Sequence, residues 1–240
     1  MATSGSTDWV ATRSTIITQA YRLIGALGES ETISATQLSF GVDALNPMVK
    51  FLMTKGMPVW AIKETTVALS TFSTSTVEIG PSSTIAVAKP LKILQAYRRD
   101  TSLTPDVDVP LTILTWEDYN RLSAKEQEGT PSQLFYQPKN YVGSIAIWPR
   151  PDTYWTTNGS LIIRYQKLFE DFDAAADNPD FPVEWHEPLA YQLAVRLAPM
   201  YGLAPNDRQI LVQEAGQILK GVLDFDQEEG SIFVQPARRR

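Results

Sequence analysis

The 240-residue chain carries 27 acidic and 21 basic side chains, a formal charge of -6, and 43% hydrophobic residues, enough apolar material for one large or two modest cores. It has no cysteine, which excludes a disulfide framework and a thiolate metal site, and its acidity argues against the basic stripe that gripping nucleic acid requires. No apolar run approaches the roughly 20 residues of a membrane span, and the opening MATSGSTDW lacks the basic-then-apolar order of a signal peptide. A soluble, unexported protein suited to a reducing cytoplasm, with no membrane partner, is expected.

In chain order, Ile16, Ile17, Ala20, Leu23, Ile24 and Leu27 recur at helical spacing. They predict a first helix that stops at Gly28, a residue able to take the left-handed conformation. Ser34 with Gln37 has the capping-box pattern, and Ile33 with Leu38 has the spacing of a hydrophobic staple. The second helix then has an apolar face of Leu38, Val42, Leu45, Val49 and Leu52, with an end near Lys55-Gly56. Pro47 lies inside that pattern, where its missing N–H and its ring cost about 3 kcal/mol and predict a kink.

From Pro58 to Lys167 the composition shifts to Thr, Ser, Val and Ile punctuated by Pro and Gly, and helical periodicity disappears. Strands are predicted at 59–69, 76–79, 91–98, 109–114, 133–137, 145–148 and 161–165, about seven in all, which suggests a small sandwich or barrel. Thr115 is placed to cap a short helix through Trp116, Tyr119 and Leu122, and 123–130 reads as a loop. The last three strands are predicted to form a meander, with Asn158-Gly159 supplying the positive-φ residues of a tight hairpin. No segment has the strand, glycine loop and helix order of a phosphate cradle, so no cofactor is expected.

Residues 168–187 hold Glu170, Asp171, Asp173, Asp177, Asp180, Glu184 and Glu187 with no Lys or Arg. Glu184, His186 and Glu187 beside Asp171 and Asp173 have the chemistry of a hard-cation site or of a carboxylate pair for glycosidic cleavage. The chain's one His has no second His at helical spacing and no calcium-loop pattern is present, so a solvated acidic linker before a helix accounts for the run more simply. Trp185, Leu189, Leu193 and Leu197 then mark a helix that Pro199 and Gly202 end. Asn206 or Asp207 is placed to cap a last helix with face Ile210, Leu211, Ala215, Ile218, Leu219 and Val222. Beyond it, an acidic stretch gives way to Ile232, Phe233 and Val234 and then to Arg238, Arg239 and Arg240, a β-prone anchor with three cations suited to docking on a partner.

The predicted class is α+β. A helical bundle is built from N-terminal (1–57) and C-terminal (168–224) helix pairs around an inserted β-sandwich-like domain (58–167), and 225–240 forms an extended docking tail. The run TIITQAYRLIGALGESE (15–31), Ala44-Leu45-Asn46 inside the second helix, Gly129-Thr130-Pro131, Phe135-Tyr136 and IAIWPRP (145–151) together resemble the head-to-tail adaptor proteins of tailed bacteriophages, of the tail accessory factor and tail tubular protein A type. That family usually follows the Asn with a helix former where this chain has Pro47. The resemblance implies a structural, non-enzymatic virion protein that is made in the host cytoplasm and forms a ring, typically of twelve copies, at the head–tail junction. It implies binding to the portal after DNA packaging, an extended channel through which genomic DNA passes without sequence-specific binding, and a platform for a tail or nozzle protein. Ile232, Phe233, Val234, Arg238, Arg239 and Arg240 are the residues expected to dock on the portal or a neighbour. The alternatives are a virion-associated peptidoglycan hydrolase using Glu184 with Glu187 or Asp171 with Asp173, and a carbohydrate-binding sandwich suggested by six Trp and nine Tyr.

Overall fold

The computed structural model describes residue 9 and residues 11–53, 59–173 and 180–225. Helix α1 (Arg13–Leu23) starts at Thr12, whose hydroxyl accepts the Thr15 N–H at 3.4 Å. It stops three residues earlier than the spacing predicts. Gly25 takes φ +69°, its N–H donates to the Arg22 carbonyl at 3.0 Å, and the Ala26 N–H donates to the Tyr21 carbonyl at 3.0 Å. This paired bonding satisfies the last carbonyls as soon as a glycine permits it, while the Gly28 N–H donates to the Glu31 carboxylate at 2.9 Å.

Helix α2 (Ala35–Leu52) begins with the predicted capping box. The Gln37 N–H donates to the Ser34 hydroxyl at 3.2 Å, and the Ser34 N–H donates to the Gln37 side chain at 3.0 Å. The helix runs on through Pro47. Its buried stripe is Gly41, Leu45, Met48, Val49 and Leu52, while Phe40 and Phe51 are exposed. Next to the proline, Asn46 grips a returning segment at both backbone atoms: its carbonyl accepts the Phe172 N–H at 3.0 Å and its amide donates to the Phe172 carbonyl at 3.4 Å.

The chain divides into two compact units, residues 61–168 and residues 1–60 with 169–240. The first is the β unit. Its elements are β1 (Ile62–Ala68), β2 (Val77–Gly80), β3 (Ile85–Ala86), β4 (Pro90–Asp100), β5 (Val107–Pro110), β6 (Thr112–Leu114), α3 (Trp116–Arg121), β7 (Glu128–Gly129), β8 (Gln133–Pro138), β9 (Gly143–Trp148), β10 (Arg150–Pro151), α4 (Thr153–Asn158) and β11 (Gly159–Lys167). Among the described residues there are thus eleven strands rather than about seven, the additions β3, β7 and β10 being two residues long.

A four-stranded sheet runs β1-β11-β4-β5 and a five-stranded one β3-β2-β9-β8-β6, with β7 and β10 as a separate pair. Inward residues of both sheets share one core: Ile93, Ala96, Leu161 and Ile163 from the first, and Val77, Ile79, Leu134 and Ile145 from the second. β9 lies between β2 and β8, and all of its residues from Gly143 to Ile147 are buried. That explains its continuous apolar run, which a half-buried strand would not need.

The predicted meander is corrected in two places. β8 and β9 form the antiparallel pair expected, with Leu134 opposite Ile147, but β11 belongs to the other sheet, between β1 and β4. Asn158-Gly159 makes no hairpin. Asp152 accepts the Tyr154 and Trp155 N–H groups at 3.0 and 3.1 Å and so starts α4, and Gly159 continues from it at φ -107°. Burying Trp155, whose indole N–H reaches the Thr130 hydroxyl at 3.1 Å, is what the helical turn achieves. The single strand predicted at 109–114 is also two. Leu111 donates its N–H to Ala96, and β5 and β6 on either side of it join different sheets. Thr115 does cap α3, accepting the Asp118 N–H at 3.2 Å.

The second unit is helical and closes with α5 (His186–Leu197) and α6 (Pro205–Phe225). Trp185, Leu189, Leu193 and Leu197 are buried as their spacing predicts, and α5 packs against α1, α2 and α6, making it the central helix. Pro188 sits in its first turn, where a missing N–H costs nothing. After Gly202 at φ +70°, α6 starts at Pro205 rather than after Asn206 or Asp207, because proline is preorganised for the first helical position. Only Leu211, Ala215 and Leu219 of α6 are fully buried, and Ile210 is 55% exposed. Among the described residues of the acidic segment that leads to α5, ring contacts anchor the chain. Phe169 stacks on Trp60 at 4.8 Å and meets Phe181 at 4.7 Å, and Phe181 meets Trp185 at 5.8 Å.

Candidate docking surfaces

The residues expected to dock, Ile232, Phe233, Val234, Arg238, Arg239 and Arg240, lie outside the described residues, as does Asp177 of the acidic run. Three of the acids in the described part of the run have a clear setting. Asp171 is 2.7 Å from the Lys50 ammonium, which also donates to the Phe169 carbonyl at 2.8 Å. With both side chains about half exposed, that ion pair contributes at most about 1 kcal/mol, and its geometry holds the returning segment on α2. Glu184 and Glu187 are both exposed and line one groove. Among the described residues, no group of three acidic or imidazole side chains is arranged to hold a metal ion.

His186 stands between the two acids in sequence but points into the fold. It is 1% exposed, its Nδ1 accepts the Ala11 N–H at 3.3 Å, and its ring meets Trp9 at 5.5 Å. Burial holds its pKa below the ordinary value, opposed by the Phe181 backbone and by Glu184. It acts as a neutral acceptor that fixes the chain just before α1, with no geometry for ligating a cation.

The groove has a volume of about 560 Å³. Its walls come from α1, through Gln19, Arg22 and Leu23, and from the start of α5, through Glu187, Ala190 and Tyr191, with Val183 and Trp9 completing it. Leu23 falls on the predicted buried face of α1 yet is 38% exposed, because α1 ends at that residue and nothing covers it from the next turn. Tyr191 and Ala190 carry no signal in the sequence, since a groove wall is set by which helices pack together. The off-stripe position of Val183 and Trp9, apolar residues outside any periodic run, is the only hint the sequence holds.

Two other depressions lie elsewhere on the helical unit. One, of about 310 Å³, is lined by Phe40, Met200 and Tyr201. Beneath it the Tyr201 hydroxyl bonds the Tyr21 hydroxyl at 3.2 Å, and Tyr21 donates to the Gln37 carbonyl at 3.0 Å; burial, then the bond and charge of Tyr201, raise the Tyr21 pKa. The other runs along the α5–α6 turn past Pro199, Leu203 and Val212.

In the β unit the aromatic residues are mostly committed to packing. Trp155 is core, and Arg98 lies over its ring at 5.1 Å. Tyr119 stacks on Phe135 at 4.3 Å and has the Lys125 ammonium over its ring at 5.1 Å, leaving Trp116, 56% exposed, on the edge beside β6. Asp100 accepts bonds from Ser102 and Tyr154 at 2.6 and 2.7 Å, which lower its pKa and tie the β4–β5 turn to α4.

Compared with known proteins, residues 11–240 match the model of the family described as SU10 adaptor protein. A search of curated proteins returns no match.

Proposed function

Because the chain belongs to the SU10 adaptor protein family, a family of phage head–tail adaptors, we propose that it assembles as a ring at the head–tail junction of the virion, on the portal. The observation that carries this reading is the extent of the match, which takes in both helix pairs and the whole β unit. The working arrangement is that of the tail accessory factor and tail tubular protein A class: about twelve copies bind the portal after packaging, extend the DNA channel and present the next surface to a tail or nozzle protein. Each subunit then meets the next through two different patches, a heterologous contact that closes only at one rotation angle. The exposed apolar residues of α6 and the depressions beside Phe40 and Val212 are available for such contacts.

Twelve copies at -6 each carry a formal charge near -72. A channel of that sign repels phosphates and confines DNA sterically, so the ring lets it pass without holding it. Portal docking is assigned to Ile232, Phe233, Val234 and the three terminal arginines, an apolar anchor and a cationic end on one short segment.

Native mass spectrometry of the full-length chain, alone and with purified portal, tests the assignment. A portal-dependent ring is expected, reduced in yield at least tenfold in a chain ending at Gly230. A full-length chain that stays monomeric beside an assembly-competent portal overturns the adaptor arrangement. Tight duplex binding by the assembled ring, persisting in high salt, overturns the electrostatic part alone.

A further inference from the structure

The groove between α1 and the start of α5 has apolar walls and an acidic lip that the helical fold does not itself use. Leu23 and Val183 are each 38% exposed and Trp9 is 57% exposed, so three large apolar side chains meet solvent around one cavity. Glu184 and Glu187 line it and enter no ion pair among the described residues. The basic group on the opposite wall, Arg22, donates to the Glu29 carbonyl at 3.2 Å. A fitting occupant brings one or two large apolar side chains and, a few residues away, positive charge.

This chain carries such a segment. Beyond α6, Ile232-Phe233-Val234 is followed by Arg238-Arg239-Arg240. The α5–α6 hairpin also ends at the same end of the helical unit as the groove. Gln192 of α5 donates to the Ala215 carbonyl of α6 at 3.0 Å, which sets the register of the two helices. At about 1.5 Å per residue, His186 lies about 9 Å from that point and Phe225 about 15 Å, so α6 ends about 6 Å beyond the start of α5. Val183, Glu184 and Glu187 are at that same end. Residues 226–231 span up to about 20 Å when extended, enough to round the end of α5 and bring Ile232 to the groove.

We infer that in the free subunit this groove holds the chain's own C-terminal segment, with the Ile232–Val234 run on Leu23, Val183 and Trp9, and Arg238–Arg240 at Glu184 and Glu187. A short tether makes the local concentration of the segment millimolar or higher, so a weak contact suffices to keep it seated. The contact covers the apolar walls and withholds the segment until a partner competes for it. It rests on the groove and on the sequence beyond α6, and holds whether or not the portal is that partner.

The absence of cysteine makes the test direct. Spin labels are placed on the full-length chain at Thr15→Cys and Ser231→Cys, and their separation is read by double electron–electron resonance after dilution into an excess of unlabelled protein. Thr15 precedes Gln19 and Arg22 at helical spacing on α1 and is not itself a wall of the groove. One narrow distance is expected, unchanged by dilution, and lost both in Glu184→Lys/Glu187→Lys and in Phe233→Asp. The two glutamates are exposed, so the charge reversal leaves the helical circular dichroism as in the parent, and Phe233→Asp provides an independent loss from the other side of the contact. A broad distribution that neither variant changes overturns the proposal, as does a narrow distance that survives both. A narrow distance that disappears on dilution places the segment in a neighbouring copy's groove and overturns the intramolecular assignment.

Discussion

The single histidine shows how a residue that looks like a ligand in the sequence becomes part of the framework. Beside Glu184 and Glu187 it suggests acid–base or metal chemistry, but the fold turns it inward, where its Nδ1 holds the Ala11 N–H and its ring supports Trp9. Protonating Nδ1 removes that acceptor and places a charge in a site that is 1% exposed. Burial keeps the folded-state pKa below the ordinary value of 6.5, so below about pH 6.5 the unfolded chain binds more protons than the folded one. The stabilisation from neutral His186 is therefore fully present above pH 6.5 and is lost as pH falls through the lower folded-state value. Urea unfolding followed by tryptophan fluorescence should give a midpoint that drops from pH 7 toward pH 5. In His186→Gln, which keeps an acceptor without a titration, the drop over that interval should largely disappear; an equal drop in both proteins would remove His186 as its source.

Elements were legible in the sequence where a local rule decided them, and illegible where packing did. The capping box at Ser34, the cap at Thr115 and the spacing of Leu189, Leu193 and Leu197 involve residues three or four apart, and each is present in the structure. Asn158-Gly159 misleads because Asp152 and the need to bury Trp155 outweigh a turn-forming pair, and the 109–114 run divides at Leu111 because two sheets compete for it. The acids of the groove were visible, but its walls were not, since Leu23 and Tyr191 meet only after α1 and α5 pack. Glycines divide the same way. A Cβ on Gly41 would lie 2.4 Å from Cγ2 of Ile17, a fully buried and β-branched side chain with little room to move, whereas one on Gly216 meets nothing within 4 Å. Alanine gains about 1 kcal/mol of helix propensity at either place, but overpacking at the α1–α2 contact costs about 1–3 kcal/mol. Gly41→Ala should therefore lower the unfolding free energy by about 1 kcal/mol and Gly216→Ala should raise it by up to about 1 kcal/mol. Denaturant titration of the two variants against the parent measures both, and stabilisation by Gly41→Ala would show that α1 and α2 yield more easily than their contact suggests.

At the scale of the whole molecule, the two compact units share a chain but each has its own core. The β unit begins and ends on neighbouring strands, with Ile62 of β1 directly opposite Gln166 of β11. In the helical unit the corresponding chain ends are also adjacent, since Trp60 stacks on Phe169 at 4.8 Å. An insertion whose entry and exit lie side by side in both units can be removed without stretching either. Residues 61–168 expressed alone should fold, because their core draws on both sheets and on Trp155 without help from the helices. The helical unit, with Trp60 joined to Phe169 through a Gly-Ser linker of about four residues, should fold as well. Each piece is expected to unfold in one cooperative thermal transition, and their far-ultraviolet spectra should sum to that of the full chain. A β unit that melts without cooperativity would mean that its two sheets depend on the helices for their stability. A helical unit that does so would mean that the Trp60, Phe169 and Phe181 cluster needs the inserted strands to hold it in place.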